Sequence, residues 1–486
     1  MAGGAPIVGV SGSELGRRQW AIAFSLVSTL FFTWGFAYGL LDVLNKHFQV
    51  IFGITKTQST LLQLAYFGAY LVFSPFAGLF MRRYGYKKGI HLGLSLYTIG
   101  AAFYWPCAKY EVYGGFVACT FVIGCGLSAL EVAANSYITV LGSPKYAAAR
   151  LNFSQGWQGV ASFSGPLIAS RWFFTGKNAT SLDTVQYVYL AVACLGITLN
   201  VLFYFTYLPE ITEEKLAEEM RGVGIMSDAE PFHKQYRTIF GFIAQFCYVG
   251  AQVAVASFVV NYLTEGEFGL NKTDSQASNM FSYCQITFTV GRFVGVVLLN
   301  FIDPAALLTF YAICCTVFCI GTATATGVAG IACLYCLFFF ESICYPVIFT
   351  LGTKNLGVHT KKGSALIVMG VAGGAWYPSA QGALADRTST HHSYLVPMTG
   401  FIVMLVYAAG IVITQGNRDG FRISNVDEIQ KKRASIVSAG SGKGDLPGAN
   451  LPSAVETAER TSKEKDSANL PIAEQLDSRN SSTSLG

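Results

Sequence analysis

The chain has 486 residues, of which 13% are charged and 52% apolar, and its net charge is +5. Soluble proteins carry about twice that share of charge, so neither a water-soluble globular fold nor a disordered chain fits this composition. The excess of positive charge comes from loops and tail rather than from one basic face, so it marks no nucleic-acid footprint.

Residues 1–16 are polar and glycine-rich, unlike the basic start, short apolar core and small-residue cleavage site of a signal peptide. Arg17 and Arg18 then precede an apolar run too long for a signal core, which reads as a retained first helix. Further runs bring the set to 20–47, 58–80, 89–107, 112–141, 150–174, 185–208, 238–263, 276–300, 305–326, 329–353, 363–385 and 394–414. Runs of this size match the roughly 20 residues a helix needs to cross about 30 Å of hydrocarbon. The many glycines within them suit closely packed membrane helices.

Pro209 to Arg237 is polar and divides the twelve runs into two sets of six. The expected layout is an N-terminal segment at 1–18, one six-helix bundle at 19–208, a central loop at 209–237, a second bundle at 238–414 and a disordered tail at 415–486. Basic residues collect after even-numbered runs: Arg82, Arg83, Lys87 and Lys88, then Lys215, Arg221, Lys234 and Arg237, then Lys354, Lys361 and Lys362. Positive loops stay cytoplasmic, which predicts that both termini lie in the cytoplasm. The tail is rich in Ser, Gly, Ala, Lys and Glu and has no periodic apolar face.

All twelve cysteines, from Cys107 to Cys344, fall in or beside apolar runs, where a thiol behaves as a small hydrophobe. They read as packing residues rather than disulfides. Cys333 and Cys336 have metal-site spacing but no histidine or second pair nearby, so no metal site is expected. No nucleophile–base spacing appears in or beside the runs, which argues against a membrane enzyme.

Ionisable residues inside the apolar runs are the most informative feature, since each costs on the order of 2.5–3.5 kcal/mol at the bilayer centre. Four stand out: Asp42, Glu131, Arg292 and Glu341. With the orientation above, Asp42 lies towards the outer half of the first run and Glu131 towards the inner half of the fourth. Two carboxylates at different depths can pass a proton from one face to the other; each can also serve as a packing ion pair. Arg292, between Gly291 and Gly295, fits a helix-packing ion pair at least as well as a substrate contact. Sugars are read by planar hydrogen-bonding groups and by aromatic faces that cover ring C–H bonds. The candidates are Gln155, Gln158, Gln245, Gln252, Tyr345 and Trp376.

At these residues the chain resembles the fucose:proton symporter family of the major facilitator superfamily. The likeness is carried by Leu127 to Asn135 with Thr139 to Gly142, Arg150 to Asn152, Tyr248 to Gln252, Tyr345 to Gly357, Lys362 to Ser364 and Ile367 to Met369. It implies an all-α membrane protein of twelve transmembrane helices in two six-helix bundles around a cavity that opens alternately to each side. It further implies proton coupling at Asp42 and Glu131, and substrate contacts at Gln155, Gln158 and Tyr345; the residues themselves add Gln252, Glu341 and Trp376 as candidate substrate ligands. Arg292 and Lys354 take structural or ion-pair roles. The expected partners are a monosaccharide (fucose, galactose, arabinose or glucose) and the lipid bilayer, for a monomer in the plasma membrane whose only coupling ion is the proton and which holds no cofactor.

The chain departs from the family at several places. Gly39, Leu40 and Leu41 stand where an asparagine usually flanks the aspartate, Glu341 replaces an apolar residue, and Cys344 replaces a glutamine. The loop after the second run, Gly78 to Lys88, lacks the acidic residue of the superfamily's usual motif, as the fucose branch does too. A passive facilitator and a non-transporting nutrient sensor are the competing readings.

Overall fold

The computed structural model describes residues 15–52, 56–172, 183–222, 231–265 and 271–426. The first half contributes α1 (Arg17–Phe52), α2 (Lys56–Tyr84), α3 (Tyr86–Lys109), α4 (Tyr113–Val140), α5 (Ala147–Trp172) and α6 (Asp183–Phe205). A short helix, α7 (Glu213–Gly222), follows in the polar centre of the chain. The second half also makes six crossings, four of them in pieces. These are α8 (Tyr236–Ser257) with α9 (Val259–Thr264), α10 (Asp274–Phe301), α11 (Pro304–Thr324), α12 (Gly327–Glu341) with α13 (Cys344–Thr353), α14 (Thr360–Met369) with α15 (Gly373–Ala385), and α16 (Thr390–Ser393) with α17 (Leu395–Asp419).

Nine crossings among the described residues are long and apolar enough to span a bilayer unaided. The remaining three, α3, α5 and the α14–α15 pair, carry the basic and amide residues and depend on their neighbours to cover them. This is a multi-pass integral membrane protein.

Local chemistry sets the element boundaries. Asp303 caps α11 by accepting from the Ala305 N–H at 3.0 Å, with Pro304 at the first helical position. Thr273 and Gln276 form a reciprocal capping box at the start of α10. The tenth crossing, read from sequence as one run over 329–353, is interrupted between Glu341 and Cys344. Pro346 explains the break, because it has no N–H to offer the carbonyl four residues earlier. The eleventh crossing is likewise broken by a 3₁₀ turn at Gly370–Ala372.

In the first half α4 packs against α2 and α3, and α5 against α1. In the second half α8 packs against α15 and α17, and α11 against α12 and α17. Glycine permits the closest approaches: a Cβ at Gly35 would meet the Gln158 carbonyl, and one at Gly373 the Phe246 carbonyl. The halves join where α5 faces α10 and α2 faces α14. All described residues belong to one compact unit, residues 1–432.

The end that carries the basic loops is closed by contacts between the halves. Glu213, at the start of α7, accepts the Lys361 N–H at 2.8 Å and pairs with Arg82 at 3.8 Å. The Lys361 ammonium lies 3.5 Å from Glu210 and 4.4 Å from the Tyr86 ring centroid. Glu210 also accepts the Tyr86 N–H at 2.8 Å. Burial is the largest influence on the Glu213 carboxyl and raises it above the ordinary range, against the lowering effects of the Lys361 N–H, the Lys361 ammonium and Arg82.

Past α17 the chain turns back over the same end. Asn425 donates to the Leu299 carbonyl at 2.9 Å and, across to the first half, to the Lys145 carbonyl at 3.0 Å. Arg422 pairs with Asp303 at 3.7 Å. The predicted tail therefore begins with an ordered strap. Its residues from 427 onward lie outside the described residues.

Candidate functional site

A cavity of about 80 Å³ lies between the halves. The first half lines it with Trp34, Phe67, Glu131, Gln158 and Ser162, and the second with Gln252, Gln285, Phe288, Arg292, Glu341 and Tyr345. Apolar and aromatic walls with a few convergent polar groups are the usual make-up of a small-molecule site.

Glu131 reaches this cavity from α4, which is buried without a gap from Ile123 to Ile138. Its carboxyl is approached by Tyr345, Tyr70 and Asn135. Asn135 lies one helical turn beyond Glu131, so the two side chains share a face. Oε2 of Glu131 is buried with no hydrogen-bond partner. Trp34 on α1 donates its indole N–H to Tyr70, which ties the first helix to the same cluster.

From there a chain of bonds crosses between the halves. Asn135 donates to the Tyr345 hydroxyl at 3.3 Å, and Gln155 donates to Asn135 Oδ1 at 3.4 Å. Arg292 donates to Gln155 Oε1 at 2.7 Å, and Asn152 donates to the Arg292 carbonyl at 2.7 Å. The guanidinium also rests 4.8 Å from the Phe288 ring centroid. Hydrogen bonds to a charged group contribute about 1.5–3 kcal/mol each, so the Arg292–Gln155 bond is the strongest link in this series.

Glu341 ends α12 at the interruption of the tenth crossing and is 1% exposed. Its carbonyl, released from helical bonding by the break, accepts from the Tyr248 hydroxyl at 2.6 Å. Its carboxylate Oε2 has no hydrogen-bond partner, and neither does Arg292 Nε. No ion pair joins Arg292 to Glu131 or to Glu341 among the described residues. Three ionisable groups thus line one cavity with bonding capacity unused.

The structure brings together Glu131, Gln158, Gln252, Arg292, Glu341 and Tyr345. Gln155 stands behind the cavity, its amide committed to Asn135 and Arg292. Trp376 is set apart: it is 71% exposed on α15 and does not line the cavity. Gln245 is buried on α8 with neither amide atom bonded, and it too is absent from the lining. Lys354 caps the C-terminal end of α13. Asp42 falls on α1, but its side chain lies outside the described residues.

Sequence reasoning did not single out Trp34, Tyr70, Asn135 and Gln285. Asn135 carried a legible signal, the four-residue spacing from Glu131. Tyr70 did not, because an aromatic in an apolar run looks like packing.

The sequence pattern of the Major Facilitator Superfamily matches residues 21–380. The glucose/galactose transporter of Brucella abortus biovar 1 (strain 9-941) is 34% identical over 397 residues, covering 80% of this chain and 94% of that protein. The L-fucose-proton symporter of Escherichia coli (strain K12) is 31% identical, covering 80% of this chain and 93% of that protein. The crystal structure of FucP, a major facilitator superfamily transporter, in the outward conformation superimposes with a TM-score of 0.69 at 31% identity, covering 81% of this chain and 99% of that one.

Proposed function

The chain belongs to the major facilitator superfamily, and from that premise we propose that it imports a monosaccharide together with a proton by alternating access. The observation that carries the proposal is Glu131, a carboxyl group that faces a cavity shared by both halves and touches the bonds holding them together. Relatives named for glucose/galactose and for L-fucose support a hexose or 6-deoxyhexose as cargo.

In the cycle we envisage, the basic loops and both termini face the cytoplasm, following the positive-inside rule, and the protein works as a monomer in the plasma membrane. The contacts around Lys361 and Asn425 then close the cytoplasmic mouth. Asp42, in the outer half of α1, takes a proton from outside. The sugar enters among Gln158, Gln252, Glu341 and Tyr345, where amides and carboxylate bind hydroxyls and the aromatic ring covers C–H edges. Glu131 passes the proton inward. A change in its charge alters its hold on Tyr345 and Asn135, and with it the first two links of the series that crosses between the halves. Protonation and the rocking of the halves are coupled in this way.

Uptake of radiolabelled fucose, galactose, arabinose and glucose into proteoliposomes, with and without an inward proton gradient, tests the proposal. Accumulation of a sugar only under the gradient is the expected result. Uptake that merely equilibrates in both conditions identifies a facilitator instead, and no uptake of any of the four refutes the sugar assignment.

A further inference from the structure

The α3–α4 hairpin holds a pair of thiols that the transport cycle does not use. Cys107 is two residues before the end of α3 at Lys109, and Cys119 is the seventh residue of α4, counting from Tyr113. Their sulfur atoms are 3.8 Å apart. Gly115 lets them approach: the Cys107 sulfur lies against it, 2.6 Å from where a Cβ would stand. The neighbouring surface is open, with Tyr110 71% and Val112 50% exposed. Cys107 is half-buried and Cys119 buried. The hairpin turn lies at the end opposite the basic loops, which the proposed orientation puts outside the cell, where disulfides persist.

We propose that Cys107 and Cys119 are an oxidative modification site that closes to a disulfide when the outer face meets a peroxide. The more accessible Cys107 sulfur attacks the peroxide O–O bond, giving a sulfenic acid and releasing water from hydrogen peroxide. The Cys119 sulfur then displaces the sulfenic oxygen as a second water. Both thiols lose their protons, the two sulfurs are oxidised by two electrons in total, and one hydrogen peroxide is reduced to two waters. Closure needs the sulfurs to approach from 3.8 Å to about 2.05 Å. The bond staples two helices of the same half, so rocking between the halves is left free.

The sequence supplies a direct readout, because Lys109 lies between the two cysteines. The full-length protein in lipid nanodiscs is treated with hydrogen peroxide, alkylated, and digested with trypsin without reduction. The expected product is the Gly89–Lys109 peptide joined to Tyr110–Lys145, two hydrogens lighter than their sum, with fragmentation placing the link at Cys119 rather than Cys125. The melting midpoint of the oxidised protein should rise by roughly 2–5 °C. Cys107→Ser should abolish both effects and Cys125→Ser neither. Recovery of both thiols in alkylated form, their conversion to sulfinic acids without a link, or a link to Cys125 would each overturn the proposal. Intact cells treated with a membrane-impermeant maleimide test the orientation separately, since labelling of Cys107 reports the side and not the bond.

Discussion

Lys361→Met removes the ammonium that joins the halves at the end carrying the basic loops. At 3.5 Å from Glu210, and with an effective dielectric constant of about 20, the gross attraction is about 5 kcal/mol. Most of it is offset by desolvation of the two charges. The contact with the Tyr86 ring adds about 0.5–2 kcal/mol. The Lys361 N–H bond to Glu213 comes from the backbone and survives the substitution. A net loss of about 2 kcal/mol moves the balance between closed and open forms roughly 30-fold, at about 1.4 kcal/mol per factor of ten. Ser364, one turn further along α14 and fully buried, serves as the reporter. In a Ser364→Cys background, alkylation of that cysteine by a soluble maleimide, followed by mass spectrometry, should run about 30 times faster when Lys361→Met is added. Lys361→Arg should restore most of the protection. An unchanged rate in Lys361→Met would refute the closing role assigned to this residue.

Other perturbations test other parts of the argument. Glu131→Gln should abolish accumulation driven by a proton gradient while sugar counterflow across the same proteoliposomes continues; loss of both would mean that Glu131 serves the fold or the sugar rather than the proton. A folded-state value for Glu213 raised above its unfolded one makes a contribution to stability that is complete below the unfolded value and is lost as pH rises through the folded one. Glu213→Gln does not titrate and keeps an oxygen for the Lys361 N–H, so its melting temperature relative to the parent should climb as pH rises above the ordinary glutamate range. A difference that stays flat or falls would refute the dominance of burial. Asn425→Ala removes two hydrogen bonds, one of them across the halves, at about 1 kcal/mol each, and should raise the Ser364→Cys alkylation rate severalfold. Gly373→Ala drives a methyl group into the Phe246 carbonyl and should lower the melting temperature by several degrees, at a cost of about 1–3 kcal/mol.

Nine of the crossings are local properties of the sequence, since each depends on about twenty consecutive apolar residues, whereas α3, α5 and the α14–α15 pair rely on the helices that cover them. The intramembrane ionisable residues were legible for the same reason: Glu131, Arg292 and Glu341 interrupt apolar runs whatever lies around them. What each of them touches depends on distant parts of the chain. Gln155 and Trp376 looked equivalent as sugar ligands, yet α5 turns the first towards Arg292, 137 residues away, and α15 leaves the second 71% exposed. Pro346 marks a weak point in the tenth crossing, but only the packing of Tyr248 against it shows how the freed Glu341 carbonyl is satisfied.

The loop after α2 lacks the usual acidic partner in its own sequence. Tertiary structure supplies acids from elsewhere, bringing Glu210 and Glu213 from the polar centre of the chain, with Lys361 lying 148 residues beyond Glu213. Most crossings are decided by the exchange of water for hydrocarbon, which a sufficiently apolar segment settles for itself. Partners are decided by which helices pack together, and that becomes defined only when both halves have formed.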